Sequence, residues 1–201
     1  MKDVGVAILA GGASKRFGSQ KALAVFRGKP LIAHMIRIAR SLSDSVIIVV
    51  SSESQLENIE AHVEDVPIHV DPPDSVSCAL TGTLTAFEYA SRRYTQLLPV
   101  DAPLVNPDVM RLLEGLAPGH GAVVPSWPNG YLEPLHSIYD SEHAYALGLE
   151  VMEEGLHRMS DLLDRLSNVL YVSTEALKNL DPGLETFTNL NNMQDLLKKE
   201  K

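Results

Sequence analysis

Apolar and polar positions along the chain fall into two alternating rhythms. Val4 to Leu9 and "SVIIVVSS" (Ser45 to Ser52) are nearly unbroken apolar runs, as expected of strands buried on both faces of a parallel sheet. Shorter runs of the same kind are "PIHV" (Pro67 to Val70), "TQLLPV" (Thr95 to Val100), "AVVP" (Ala122 to Pro125) and "NVLYV" (Asn168 to Val172). Between them the spacing lengthens. Leu31, Met35, Ile38 and Leu42 recur at i, i+4, i+7 and i+11, an amphipathic helix for which Pro30 suits the first helical position. Leu80, Leu84 and Phe87 predict a helix reaching about Arg92. Asn106, Pro107 and Asp108 read as cap, first-turn proline and first-turn acid of a helix carrying Val109, Leu112, Leu113 and Leu116. "WPNG" (Trp127 to Gly130) reads as a turn, with Tyr131 to Tyr139 as the second arm of a strand pair. Further helices are expected over Glu142–Glu154 and Ser160–Leu166, and one starting from a cap at Asn192. This alternation predicts an α/β fold with a mostly parallel sheet.

Length and charge narrow the classes. A chain of 201 residues suits one domain, residues 1–201, with a full core. No apolar run approaches the roughly 20 residues that cross a bilayer. The pair Gly11-Gly12 interrupts the first apolar stretch before it could serve as a signal peptide. A cytoplasmic location with no membrane partner is the expectation. A formal net charge of -9, without a basic stripe interleaved with aromatics, argues against nucleic acid as a partner. The single cysteine, Cys78, rules out an internal disulfide framework and a multi-cysteine metal site, and is expected to be buried rather than reactive.

A small phosphorylated ligand remains compatible with the negative total, because near neighbours set the field inside a cleft. "LAGGASKRFGSQKAL" (Leu9 to Leu23) follows the first strand with two adjacent glycines, three cations and no acid. A P-loop needs four residues between its glycines and then Lys-Ser/Thr, but Gly12 and Gly18 enclose five and Ser19-Gln20 follow. The dinucleotide fingerprint G-x-G-x-x-G fails too, since the glycines are adjacent. What remains is a loop whose backbone N–H groups can approach phosphate oxygens, with Arg16 able to fork two oxygens and Lys21 to act as a point charge. The residues alone leave open an ordinary strand-to-helix loop with surface lysines. Asp101 stands at the carboxyl end of a presumed central strand, where open α/β sheets place their ligands, bracketed by Pro99 and Pro103; a turn cap ahead of Pro103 is the plainer alternative. His136 and His157 show no zinc-ligand spacing, and Ser14 and Ser77 lack a visible histidine and acid partner.

Three separated motifs carry a resemblance. "LAGGASKRFGSQKALAVFRGKPLI" resembles the L-A-G-G-x-S-x-R-M-G-x-D-K signature of the molybdenum cofactor guanylyltransferases, which make molybdopterin guanine dinucleotide. "LPVDAPLV" (Leu98 to Val105) is similar to that family's P-x-D-x-P segment, and "FTNLNNMQDL" (Phe187 to Leu196) to its F-x-N-x-N-T-P-x-D-L motif. "LHRMSDLL" after "EEG" is similar to a basic Gly-x-x-Arg stretch. The departures are Phe17 for the usual methionine, Gln20 for the acid before Lys21, Cys78-Ala79-Leu80-Thr81-Gly82 for G-P-L-x-G, and Asn192-Met193-Gln194 for the Thr-Pro-x start in the last motif.

The resemblance implies a single-domain three-layer αβα nucleotidyltransferase (Rossmann-like) fold and an enzyme that transfers GMP from GTP to the phosphate of molybdopterin carrying molybdenum, releasing pyrophosphate. It implies Mg²⁺ on Asp101 and catalytic roles for Arg16, Lys21 and Asp101. Leu9, Ala10, Gly11, Gly12, Lys21, Asp71 and Asp101 would bind the nucleotide, and Asn189 and Asn191 the acceptor. GTP and the molybdopterin cofactor would be the substrates, with molybdoenzymes or cofactor-delivery proteins as partners. CMP transfer to the same cofactor, another small phosphate acceptor, and a nucleotide- or cofactor-binding module without turnover stay open.

Overall fold

The computed structural model describes residues 3–11 and 21–190. In chain order they form β1 (Val4–Leu9), β2 (Val25–Phe26), β3 (Lys29–Pro30), α1 (Leu31–Leu42), β4 (Val46–Val50), α2 (Glu53–Glu60), β5 (Ile68–Val70), α3 (Ala79–Glu88) and β6 (Tyr94–Pro99). There follow α4 (Pro107–Leu116), β7 (Ala122–Ser126), β8 (Ile138–Asp140), α5 (Ser141–Glu153), α6 (Met159–Arg165), β9 (Val169–Ser173) and α7 (Thr174–Leu177). Among the described residues, seven strands make one sheet in the order β5-β4-β1-β6-β8-β7-β9. Only β8 runs against its neighbours β6 and β7, so the expectation of a mostly parallel sheet holds. β2 and β3 pair separately as a small antiparallel hairpin.

The unbroken apolar runs are explained by burial on both faces. Val4, Val6 and Ile8 of β1 join a core with Ile32 and Met35 of α1 and Val109 and Met110 of α4. Ala7, one step out of phase, joins the opposite core with Leu80 and Leu84 of α3, Val151 of α5 and Leu162 of α6. A period of two along the strand thus feeds two helical layers, giving the three-layer αβα arrangement. Local signals set the helix starts. Asn106 Oδ1 accepts from the Asp108 N–H at 2.9 Å to cap α4, and the Ser52 hydroxyl accepts from the Gln55 N–H to cap α2.

Several boundaries differ from the sequence expectation. Pro30 has ψ 146° and pairs with Val25, so it closes the hairpin and caps α1 instead of occupying its first position. The helix after Leu80 stops at Glu88, short of Arg92. Tyr131 to Tyr139 is not a continuous arm: one bridge joins Ser126 to Leu132, a 3₁₀ turn occupies Pro134–His136, and the strand starts at Ile138. Pro134 has no N–H to give a ladder, which accounts for the interruption. α2 escapes the apolar pattern because Ile59 is its one buried residue. The helix expected from Asn192 lies outside the described residues. Among the described residues, no helix is long and apolar enough to cross a membrane.

One joint is tight enough to test. A Cβ built on Gly121, just before β7, would lie 2.4 Å from the Ser167 carbonyl oxygen. The Gly121 N–H donates to Asn168 O at 3.1 Å and its carbonyl accepts from the Asp140 N–H at 3.0 Å, so the backbone is held on both sides. Gly121→Ala should therefore lower stability by about 1–3 kcal/mol, a melting-point drop of roughly 3–10 °C in a thermal melt.

Candidate active site

Parallel strands send their carboxyl ends to one edge of a sheet. At that edge β1 delivers Gly11, β4 delivers Ser51, β5 delivers Asp71 and β6 delivers Asp101. β1 lies where the order reverses, with β4 and β5 on one side and β6 on the other, the position where open α/β sheets bind ligands. A cavity of about 400 Å³ opens there, walled by Leu9, Gly11, Lys21, Asp71 and Asp101 together with Ser51, Cys78, Gly82 and Leu135. Its size lies in the range of small-molecule and cofactor pockets.

Each polar group is fixed from below. The Val100 N–H donates to Leu9 O at 3.0 Å and Ala102 N–H to Pro99 O at 3.3 Å, turning the chain sharply around Asp101. The Asp101 carboxylate, largely buried, accepts from Lys21 Nζ, which stands in a 3₁₀ turn (Lys21–Leu23) eighty positions earlier. With Gln20 in place of an adjacent acid, Lys21 thus has its acid across the cleft. The Asp71 N–H donates to Val50 O at 2.9 Å, and its buried carboxylate accepts from the Thr85 hydroxyl at 2.7 Å. Burial pushes the Asp71 carboxyl above its ordinary range, and the hydrogen bond from Thr85 partly opposes that rise.

Gly11 is required by proximity. A Cβ there would come within 3.2 Å of the Ser51 nitrogen and 3.3 Å of its Cβ. Ser51 cannot easily yield, because Gln55 Oε1 accepts from both its N–H at 2.9 Å and its hydroxyl at 3.0 Å. Ala10 is buried, its N–H donating to Val49 O at 2.8 Å, so it supports the wall without lining it.

The carboxyl-terminal motif returns to the same place. Leu190 N–H donates to Asp101 O at 2.8 Å, which sets the exposed Asn189 beside the cleft. The approach to it is anchored by Asp181, whose Oδ2 accepts from the Thr186 N–H at 2.8 Å and hydroxyl at 2.7 Å, while the Thr186 hydroxyl accepts from Asn106 N–H at 3.1 Å. Phe187 packs edge-on against Trp127 and against the buried His136, with ring centroids 5.9 and 5.4 Å away.

The structure therefore gathers Leu9, Gly11, Lys21, Asp71 and Asp101 around one cavity, with Ala10 behind it and Asn189 at its margin. Gly12, Arg16 and Asn191 lie outside the described residues. Arg158, of the basic stretch, is exposed at the start of α6 and is absent from the cavity wall. Cys78 corrects the expectation of a buried thiol: it is half-exposed in the cavity wall, because it is the cap residue of α3, with Sγ 3.3 Å from the Thr81 hydroxyl. Ser51 and Leu135 were not foreseen. Ser51 had a signal in its position just past a buried strand; Leu135 had none, since it arrives on a 3₁₀ turn that no periodicity marks.

The model of the MobA-like NTP transferase domain matches residues 6–169. The chain belongs to this family of nucleotidyltransferases. Among its relatives, a probable molybdenum cofactor guanylyltransferase of Pyrococcus horikoshii is 35% identical over 196 residues, covering 94% of this chain and 95% of its own. One of Methanosarcina mazei is 29% identical over 194 residues, covering 94% and 86%. The crystal structure of a molybdopterin-guanine dinucleotide biosynthesis protein A from Archaeoglobus fulgidus superposes with a TM-score of 0.83 at 27% identity, covering 97% of this chain and 96% of that one.

The raised Asp71 carboxyl has a measurable consequence. The native state holds the Asp71 proton more tightly than the unfolded chain, so ionising it as pH rises from the ordinary carboxylate range through the raised value costs stability. Asp71→Asn cannot ionise and keeps an acceptor for Thr85. In nucleotide-free protein it should exceed the wild type in stability at about pH 7, and the difference should shrink as pH falls toward about 4.5. Urea melts at the two pH values check this.

Proposed function

We propose that this member of the MobA-like family transfers GMP from GTP to the phosphate of molybdopterin carrying molybdenum. The observation that carries the reading is the cleft in which Lys21, Asp101 and Asp71 meet at the switch point of the sheet. The names of the relatives, each a probable molybdenum cofactor guanylyltransferase, supply the acceptor and the base.

Both reactants are anionic, so the chain's task is to neutralise and align them. A phosphate oxygen of the acceptor attacks the α-phosphorus, the bond from that phosphorus to the bridging oxygen of the β-phosphate breaks, and pyrophosphate departs. Lys21 and Arg16 meet the negative charge that builds on the departing phosphates. Lys21 pairs with Asp101, so its ammonium stands where the phosphates would meet the metal ligand. Asp71 accepts a hydrogen bond from the nucleoside, and Asn189 and Asn191 hold the acceptor. Among the described residues no cluster of three or more acidic, histidine or cysteine side chains could cage a metal by itself. The donor set fits Mg²⁺ held by one carboxylate, Asp101, with substrate phosphates and water completing its shell. The ion would supply Lewis-acid polarisation of the transferred phosphoryl group.

The first experiment is a thermal-melt panel with GTP, CTP, ATP and UTP, each with and without Mg²⁺. GTP at a hundred times its Kd should raise the melting point by roughly 5–10 °C, and a shift for CTP alone would replace guanylyl with cytidylyl transfer. Turnover is then followed as pyrophosphate release with the molybdenum cofactor as acceptor. Asp101→Asn should lower kcat at least about a hundredfold, some 2.7 kcal/mol, with GTP affinity largely kept. Unchanged kcat would remove Asp101 from the chemistry.

A further inference from the structure

Among the described residues Asp71 is one of two carboxylates in the cleft wall, and what orients it lies in the core. Thr85 stands in the middle of α3, buried, and its hydroxyl carries a single proton. Two acceptors compete for that proton, Asp71 Oδ1 at 2.7 Å and the Thr81 carbonyl one turn back at 3.2 Å. The shorter contact, to a carboxylate, is the stronger. Oδ2 of Asp71 has no hydrogen-bond partner among the described residues. Gly82 in the same wall leaves room beside the carboxylate: a Cβ there would lie 3.8 Å from Oδ2 and 3.9 Å from Oδ1. The carboxylate is thereby split into one oxygen satisfied by the protein and one left for a ligand.

We propose that Thr85 is a positioning residue of the nucleotide pocket, whose hydroxyl holds Asp71 by Oδ1 and so leaves Oδ2 as the acceptor for one N–H or O–H donor of the nucleoside. This deepens the guanylyl-transfer reading and rests on its assignment of Asp71. The ligand group it selects is a hydrogen-bond donor on the base edge or on the ribose. A carboxylate free to rotate would offer its acceptor in many directions and would lose its preorganisation for that one contact.

A matched control exists on the same helix. Thr83 is also fully buried, and its hydroxyl donates to Met159 Sδ at 3.4 Å, away from the cleft. Thr83→Val and Thr85→Val make the same chemical change, and only the second releases Asp71. In steady-state turnover of the full chain, Thr85→Val should raise KM for GTP about tenfold with kcat changed less than about threefold. Thr85→Ser should restore the wild-type KM, and Thr83→Val should leave it unmoved. Should Thr85→Val not fold, Thr85→Ala against Thr85→Ser asks the same question with a smaller side chain. Repeating the comparison with 2′-deoxy- and 3′-deoxy-GTP identifies the donor. A KM penalty that disappears with either analogue assigns a ribose hydroxyl; one that persists with both assigns the base edge. An unchanged KM in the valine or alanine variant, with Asp71→Asn raising KM, overturns the role of Thr85 alone. An unchanged KM in Asp71→Asn overturns the assignment of Asp71 to the nucleotide, and the positioning role falls with it.

Discussion

The parallel ladder that holds β1 between β4 and β6 is the constraint on which the cleft depends. Leu9 pairs with Val49 on one side and with Pro99 on the other, so the ends of three strands are fixed level with one another before any loop is considered. A slip of one residue in either ladder would exchange Val6 and Ile8 with Ala7 between the two cores, at the cost of every apolar contact those faces make. The register is thus enforced by the interior, and the polar groups at the edge inherit their relative positions from it. Lys21 and Asp101 meet across eighty positions of sequence because apolar packing has already decided where each chain end emerges.

The three carboxyl-terminal anchors use a different economy. The segment from Asp181 to Leu190 has little regular structure, and is tied down by side chains and backbone groups it does not share with any sheet: Asp181 to Thr186, Thr186 to Asn106, and Leu190 to Asp101. It adds Leu184, Phe187 and Leu190 to the core, and Phe187 fits between Trp127 and His136. These groups come from the loops after β6 and β7, so the same loops that bound the cleft also receive the segment that completes it.

Much of this was legible in the sequence. The buried strands and the amphipathic α1 and α4 follow from their periods, and their order fixes a mostly parallel α/β sheet. Asp101 was visible as a polar residue ending an apolar run, and Asp71 likewise. What the residues could not reveal was pairing across distance. Nothing near Lys21 in the chain names Asp101 as its partner, and Thr85 reads as one more residue in a helix until β5 brings Asp71 beside it. The interruption at Pro134 and the half-exposed Cys78 were missed for a related reason. Both lie where the chain leaves a regular element, and there the tertiary surroundings outweigh local pattern. Gly12, Arg16 and Asn191 were read from side-chain chemistry and from motif, and they lie outside the described residues.

The hydrogen bond from Leu190 to the carbonyl of Asp101 also has a meaning in time. A chain is made from its amino terminus, so β1, β4, β5 and β6 are synthesised well before the last anchored segment. The central ladder can assemble while that segment is still inside the ribosome, yet the margin of the cleft beside Asp101 closes only when residues 181–190 are free to fold back. The central ladder and the finished cleft are therefore separate stages in the birth of the molecule, and termination shortly before Asp181 would omit both the segment that borders Asp101 and the core contacts of Leu184, Phe187 and Leu190.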